Sequence, residues 1–200
     1  MKLLEAKQKI QHLQVPLLHT HEVAKILNLS NSQASLILHR LQETKEVISL
    51  KKGLWLLDGH ASSFFIGEHL ARPYPAYVSL QSALYLHGIV SQIPETVFLV
   101  TLGRSQKKVV LKTTYSFHHT EVALFRDFEL HEKFNLASPE KALFDFFYFS
   151  ATKKNIFKSL PELEILKSFK KRKLSEWCDL ISNPRLRSHV ANKIKLFVAA

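Results

Sequence analysis

Ser32, Gln33, Ser35, His39 and Arg40 carry hydroxyl, carboxamide, imidazole and guanidinium groups at a spacing that places them on one side of a helix, with Asn31 at its start. Groups of these types hydrogen-bond base edges in a DNA major groove or grip the phosphates beside it. Leu36 lies among them, and an apolar side chain there has two readings: contact with a thymine methyl, or contact with another part of the chain. Lys51 and Lys52 follow in a turn with Gly53, where they would neutralise phosphates and position the protein without reading sequence.

Other reactive residue types lack the partners their chemistry needs. His19 and His21 form a His-x-His pair and His118 adjoins His119, yet neither pair has a Cys, Asp or Glu at the usual ligand spacing. Cys178 is the sole cysteine, which excludes an intramolecular disulfide and a thiolate cluster. Its neighbours Trp177, Leu180 and Ile181 predict a buried, inert thiol. No Gly-x-Ser-x-Gly and no phosphate-cradling glycine loop occurs among five glycines. The expectation is no cofactor and no metal.

The elements that would position the polar face are legible around it. Thr20 is expected to cap a helix bearing Val23, Ala24 and Leu27, and Asn28, Leu29 and Ser30 to break the chain and cap a second helix. In that helix Ala34, Ile37, Leu38 and Leu41 recur at helical spacing. The apolar runs Val47–Leu50 and Leu54–Leu57 then flank the Lys-Lys-Gly turn. An amphipathic helix is ordinary scaffolding and a lysine turn an ordinary solvated hairpin tip. The order helix, capped turn, polar helix and basic hairpin, behind a first helix over 2–13, predicts a winged helix-turn-helix over residues 1–58.

Residues 59–76 read as a linker: a helix around Ala61–Leu70, then Arg72, Pro73, Tyr74 and Pro75, which forbid a continuous helix. Residues 77–200 read as a small mixed sheet flanked by helices, making the chain α+β. Ser79 is expected to cap a helix running to His87. Strands are expected at Val97–Thr101, Lys108–Leu111 and Tyr115–His118, with a weaker one within Leu124–Leu130. Ser138, Pro139 and Glu140 announce a helix through Phe149. Two or three helices should follow Pro161, separated by Lys170–Lys173 and by Asn183–Pro184.

The 200 residues carry a net charge of +11, distributed as +3 over 1–60, zero over 61–150 and +8 over 151–200. The last segment is more basic than the expected DNA-binding domain. Lys153, Lys154, Lys158, Lys170, Lys171, Arg172 and Lys173 are therefore candidates for a second anion-binding surface, facing DNA, RNA or an acidic protein. No apolar run approaches the roughly twenty residues that span a bilayer, and the opening MKLLEAKQKIQHL is charged throughout. A cytoplasmic protein without membrane contact is expected.

The string Tyr77, Val78, Ser79, Leu80, Gln81, Ser82, Ala83, Leu84, Tyr85, Leu86, His87, Gly88, followed by Gln92, Ile93, Pro94 and by Val100, Thr101, Leu102, Gly103, Arg104, resembles the AbiEi family of antitoxins. The run Leu136–Asp145 is similar to that family's helix-opening motif. With the N-terminal pattern, the resemblance covers most of residues 15–150. It implies a bacterial abortive-infection, type IV toxin-antitoxin component that represses its own promoter by binding double-stranded DNA. Its second domain would counteract a nucleotidyltransferase-like toxin, at the toxin or at the toxin's target. Two alternatives remain open: a module docking an acidic protein, and a free-standing transcriptional regulator. The family's second domain is likened to a restriction-endonuclease core, whose metal chemistry needs an (Asp/Glu)-x-Lys. Residues 77–200 contain none, Gln106-Lys107-Lys108 lacks the carboxylate, and Asp127 with Glu129 reads as a solvated strand face. A non-enzymatic protein is expected.

Overall fold

The computed structural model describes residues 3–57, 61–152, 162–165 and 167–199. The fold is α+β and divides into two compact units, Met1–Ile66 and Gly67–Ala200. No helix among the described residues is long and apolar enough to cross a membrane.

In the first unit, α1 (Leu3–Gln11), α2 (Thr20–Leu27) and α3 (Asn31–Glu43) each bury one stripe. Ala6 and Ile10, Val23, Ala24 and Leu27, and Ala34, Leu38 and Leu41 meet Leu18, Val47 and Trp55 in one apolar core, with Ile37 packed partly buried against it. Strands β1 (Leu17–His19), β2 (Ile48–Lys51) and β3 (Leu54–Leu56) form an antiparallel sheet in the order β1-β3-β2. The sequence predicts the β2–β3 hairpin but not β1, since Leu-Leu-His is too short to show an alternation. Gly53 closes the hairpin at φ +78°, a left-handed conformation that a side chain would strain. Asp58 and Gly59, expected to end the hairpin, lie outside the described residues.

The second unit is built on a six-stranded mixed sheet. After α4 (Ser63–Ala71) come β4 (Ala76–Val78), α5 (Leu80–Leu86), β5 (Thr96–Thr101), β6 (Gln106–Val110), β7 (Thr113–His119), β8 (Phe128–His131) and β9 (Phe134–Ala137), arranged β6-β7-β5-β4-β9-β8. Pairing is antiparallel except for β5 with β7 and β4 with β9. Helices α6 (Pro139–Thr152), α7 (Lys171–Cys178) and α8 (Pro184–Ala199) complete it.

Several expectations need correction. The weaker strand expected within Leu124–Leu130 is β8, confined to its second half from Phe128, and Val122–Leu124 ahead of it forms a 3-10 turn. The helix expected around Ala61–Leu70 is α4, while Ala76, read as the end of the linker, opens β4. Lys170–Lys173 does not separate helices, because Lys171 starts α7.

Helix α6 is buried on all sides from Glu140 to Phe149, as expected of a helix at the centre of a fold. Ser138 starts it, its Oγ accepting the Lys141 N–H (3.2 Å). Three residues in α6 would by type be placed in solvent: Glu140, buried and accepting the Lys170 N–H, and Lys141 and Asp145, fully buried as an i,i+4 ion pair. The other Asp145 oxygen accepts the Tyr77 hydroxyl (3.0 Å) and the Ser79 hydroxyl (2.7 Å), both reaching from the β4 segment. Ser79 therefore does not cap α5 with its side chain, as the sequence suggests; its hydroxyl is drawn to the carboxylate. The Lys141 ammonium also lies over the rings of Phe144 and Tyr77, at 5.2 and 5.6 Å.

Burial pushes the Lys141 ammonium below the usual lysine range, with Asp145 pulling the other way. Burial, then the Asp145 charge, drives the Tyr77 phenol well above its ordinary value. Burial likewise pushes Tyr115 and Tyr148 up to about 12 and the Cys178 thiol up to about 11. Cys178 is buried, as its neighbours predict.

Two outcomes follow. Removing one member of a buried pair strands the other charge, so Asp145→Ala should lower the unfolding free energy by about 3–5 kcal/mol. Arg172→Ala breaks an ion pair whose guanidinium side is 90% exposed and should cost less than about 1 kcal/mol. Urea denaturation of both variants at neutral pH checks this, and equal costs would contradict it. At alkaline pH the three phenols and the thiol ionise in the unfolded chain before they do in the folded one. The stabilisation from Tyr115, Tyr148 and Cys178 is therefore full below about pH 9 and is lost as pH rises towards 12, and that from Tyr77 has the same sign. Lys141 has the opposite sign, and its drag on stability ends above its ordinary value of 10.5. In an alkaline titration the phenolate absorbance of Tyr77, Tyr115 and Tyr148 should rise together with loss of far-UV circular dichroism. Ionisation of all three in a chain that stays folded near pH 10 would count against this packing.

Candidate nucleic-acid interface

The polar face of α3 is held by closures at both ends. Asn28 ends α2 in the left-handed region (φ 53°), and the Leu29 N–H reaches back to the Ala24 carbonyl (2.9 Å). Ser30 then caps α3: its Oγ accepts the Gln33 N–H (3.2 Å), and its own N–H donates to the Gln33 carboxamide oxygen (3.0 Å). At the far end, Thr44 Oγ1 donates to the Leu41 carbonyl (3.1 Å) and Glu46 pairs with Lys7 of α1 (2.7 Å).

Trp55 ties the hairpin to both helices. Its indole N–H donates to Thr20 Oγ1 (2.9 Å), its ring meets His39 edge-on with centroids 5.1 Å apart, and the Gly53 carbonyl accepts the Thr20 N–H (3.0 Å). Thr20, expected as the cap of α2, is thus its first helical residue and a partner for tryptophan. His19 takes the cap position, its N–H donating to the Glu22 carboxylate (2.6 Å).

Of the residues expected to meet DNA, Asn31, Ser32, Gln33, Leu36, His39, Arg40 and Lys52 are exposed, while Ser35 and Lys51 are partly buried. Leu36 is 61% exposed. Gln33 differs from the expectation, because its carboxamide oxygen is committed to the cap, which leaves the NH2 group as its remaining donor. The edge contact with Trp55 orients His39, which no spacing rule reveals.

The C-terminal basic run presents less free charge than its composition promises. Lys173 pairs with Asp127 (3.1 Å) and lies over the Trp177 ring, Arg172 pairs with Glu176 (2.8 Å), and Lys171 sits over Phe197 and near the Val198 carbonyl. Lys170 is exposed, and its N–H is held by Glu140 (2.8 Å). Lys153, Lys154 and Lys158 lie outside the described residues. Asp127 is not on a strand face with Glu129: it precedes β8 at φ 59° and accepts the Ser138 hydroxyl (3.0 Å) as well as Lys173.

The histidine pairs separate by role. His19 and His21 stack at 5.4 Å, His118 is buried beside Ser116 (3.0 Å), and His119 faces the Gly103 carbonyl across a loop (3.0 Å). Among the described residues no group of three or more His, Cys, Asp or Glu is placed to hold a metal ion. No family model matches the chain, and no curated protein is similar enough to count as a match.

The closures around α3 set the next expectation. Ser30→Ala should cost about 1 kcal/mol through the lost cap. Thr20→Val should cost about 1–3 kcal/mol by leaving the Trp55 N–H without its acceptor. Thermal unfolding of both variants reads these values, and two neutral results would mean that the caps do not hold the helix in place.

Proposed function

We propose that the first unit is a winged helix-turn-helix and that the chain is a DNA-binding repressor and antitoxin of the AbiEi type. In this reading α3 enters the major groove, with Gln33, Ser35, His39 and Arg40 meeting bases and phosphates. Leu36 meets a thymine methyl, and Lys51 and Lys52 grip the flanking backbone. One observation carries the reading: α3 buries Ala34, Leu38 and Leu41 while Ser32, Gln33, Leu36, His39 and Arg40 stand exposed beside a basic hairpin.

The promoter of its own operon is the proposed DNA, and a nucleotidyltransferase-like toxin, or that toxin's target, the object of the second unit. Both come from the resemblance of residues 77–104 and 136–145, and the role is binding without catalysis. The second reading, a module docking an acidic protein, draws on the excess of basic residues over 151–200.

Fluorescence anisotropy against the upstream DNA and a scrambled duplex, repeated across salt concentrations, separates the two. A preference of about a hundredfold, near 3 kcal/mol, is expected for the upstream DNA. Lys51→Ala with Lys52→Ala should flatten the log–log salt slope by about two counterions. Equal, weak binding to both duplexes, or an unchanged slope in the double variant, would refute the assignment.

A further inference from the structure

Residues 96–120 contain Arg104, Lys107, Lys108 and Lys112 and no Asp or Glu, although the stretch 61–150 around them is neutral overall. This local excess falls on β6, which ends the sheet order and has β7 as its one neighbour among the described residues.

The outward direction of the β6 backbone follows from its hairpin. Leu111 and Lys112 form a two-residue turn with both φ values in the left-handed region (50° and 67°), and Val110 faces Thr113 across it. The pair flanking such a turn exchanges both of its hydrogen bonds, and every second pair does so along an antiparallel ladder. Lys108–Tyr115 and Gln106–Phe117 are then the bonded pairs, and the N–H and C=O groups of Lys107 and Val109 point outward in the plane of the sheet. The next step of the same alternation is seen at His119, whose N–H donates to Ser105 Oγ (2.9 Å).

At this edge and its turn, Val109 is 71% exposed and Leu111 46%. Arg104, Lys107 and Lys112 are exposed, with no hydrogen bond or ion pair to another described side chain. Lys108 turns to the other face and donates to the Leu70 carbonyl (3.3 Å). The edge thus offers main-chain donors and acceptors at a period of two, apolar contact, and positive charge spread along a line. An extended peptide with acidic side chains matches all three. A second copy pairing here would bring lysine against lysine, which deters edge-to-edge association. A DNA backbone has no donors for the outward carbonyls.

We propose that the outer edge of β6 receives an extended acidic segment of a partner protein as an added strand of the sheet. Its main chain bonds Lys107 and Val109, and its carboxylates face Arg104, Lys107 and Lys112. The edge lies wholly within the second unit, so the proposal stands apart from DNA binding by α3.

Fluorescence anisotropy of the full chain with a labelled peptide of about eight residues, alternating glutamate with valine, tests it. The peptide should bind with a Kd on the order of 100 μM, and its fully N-methylated form, which keeps the charges and loses the donors, about tenfold or more weaker. Val109→Pro removes an outward N–H, a change that a sheet edge tolerates, and should weaken binding about tenfold. Lys107→Glu with Lys112→Glu, both at exposed positions, should weaken it as much and confer binding of a peptide with lysine in place of glutamate. The equal charge change on α8, Arg185→Glu with Lys195→Glu, should leave binding as in the parent.

The proposal fails if the N-methylated peptide binds as well as the unmodified one, or if the α8 variant loses binding as fully as the Lys107 and Lys112 variant. It fails equally if Val109→Pro keeps full binding. Two further results would overturn it by naming another occupant: a scrambled DNA duplex that needs Lys107 and Lys112 to bind, or self-association in sedimentation that Val109→Pro abolishes.

Discussion

Taking an ammonium and a carboxylate out of water together costs several kilocalories for each, and their mutual attraction repays that only when the remaining donors and acceptors are filled. In the second unit Asp145 meets this demand with Lys141 on its own helix and with Tyr77 and Ser79 from the β4 segment. Both hydroxyls are on alternate residues, hence on the same face of an extended chain. A slip of one residue would offer Ala76, Val78 and Leu80 in their place, none of which carries a donor side chain. The carboxylate therefore sets the register of β4 against α6. Since β4 is bonded to β5 on one side and β9 on the other, the placement of the whole sheet follows from it.

The first unit solves a similar problem with less charge. Its core is aliphatic apart from Trp55, and the polar end of that indole finds Thr20 at the start of α2. A single ring thus fixes the hairpin, the start of α2 and the orientation of His39 on α3.

How much of this was legible beforehand depends on how local each signal is. The capped break at Asn28–Ser30, the start of α6 at Ser138-Pro139 and the β2–β3 hairpin are written in adjacent residues, and they were readable. Strands β1, β4 and β9 span three or four residues each, too few for an alternation to emerge, and they exist because neighbouring strands pair with them. Lys141 and Asp145 were misleading by type, since their partners Tyr77 and Ser79 stand more than sixty residues away. Of the candidate interface, the exposed face of α3 was foreseeable from periodicity, whereas the capping role of Gln33 and the ring contact of His39 depend on side-chain geometry. The basic run at 170–173 looked available because charge counting does not see Asp127, Glu176 or the C-terminal end of α8.

The distance between Tyr77 and Asp145 also bears on how the chain is made. Every strand of the first unit's sheet has left the ribosome once residue 56 has, so that sheet can form early. The second unit has no such early moment. Strand β4 gains its first partner at Thr96–Thr101, but its other edge stays open until β9 arrives at Phe134, and its hydroxyls wait for residue 145. Through that interval a short apolar strand with an unpaired edge is exposed on the nascent chain, a form prone to pairing with neighbours. The buried pair that holds the finished sheet together is thus also the feature that makes its completion a late, long-range event in synthesis.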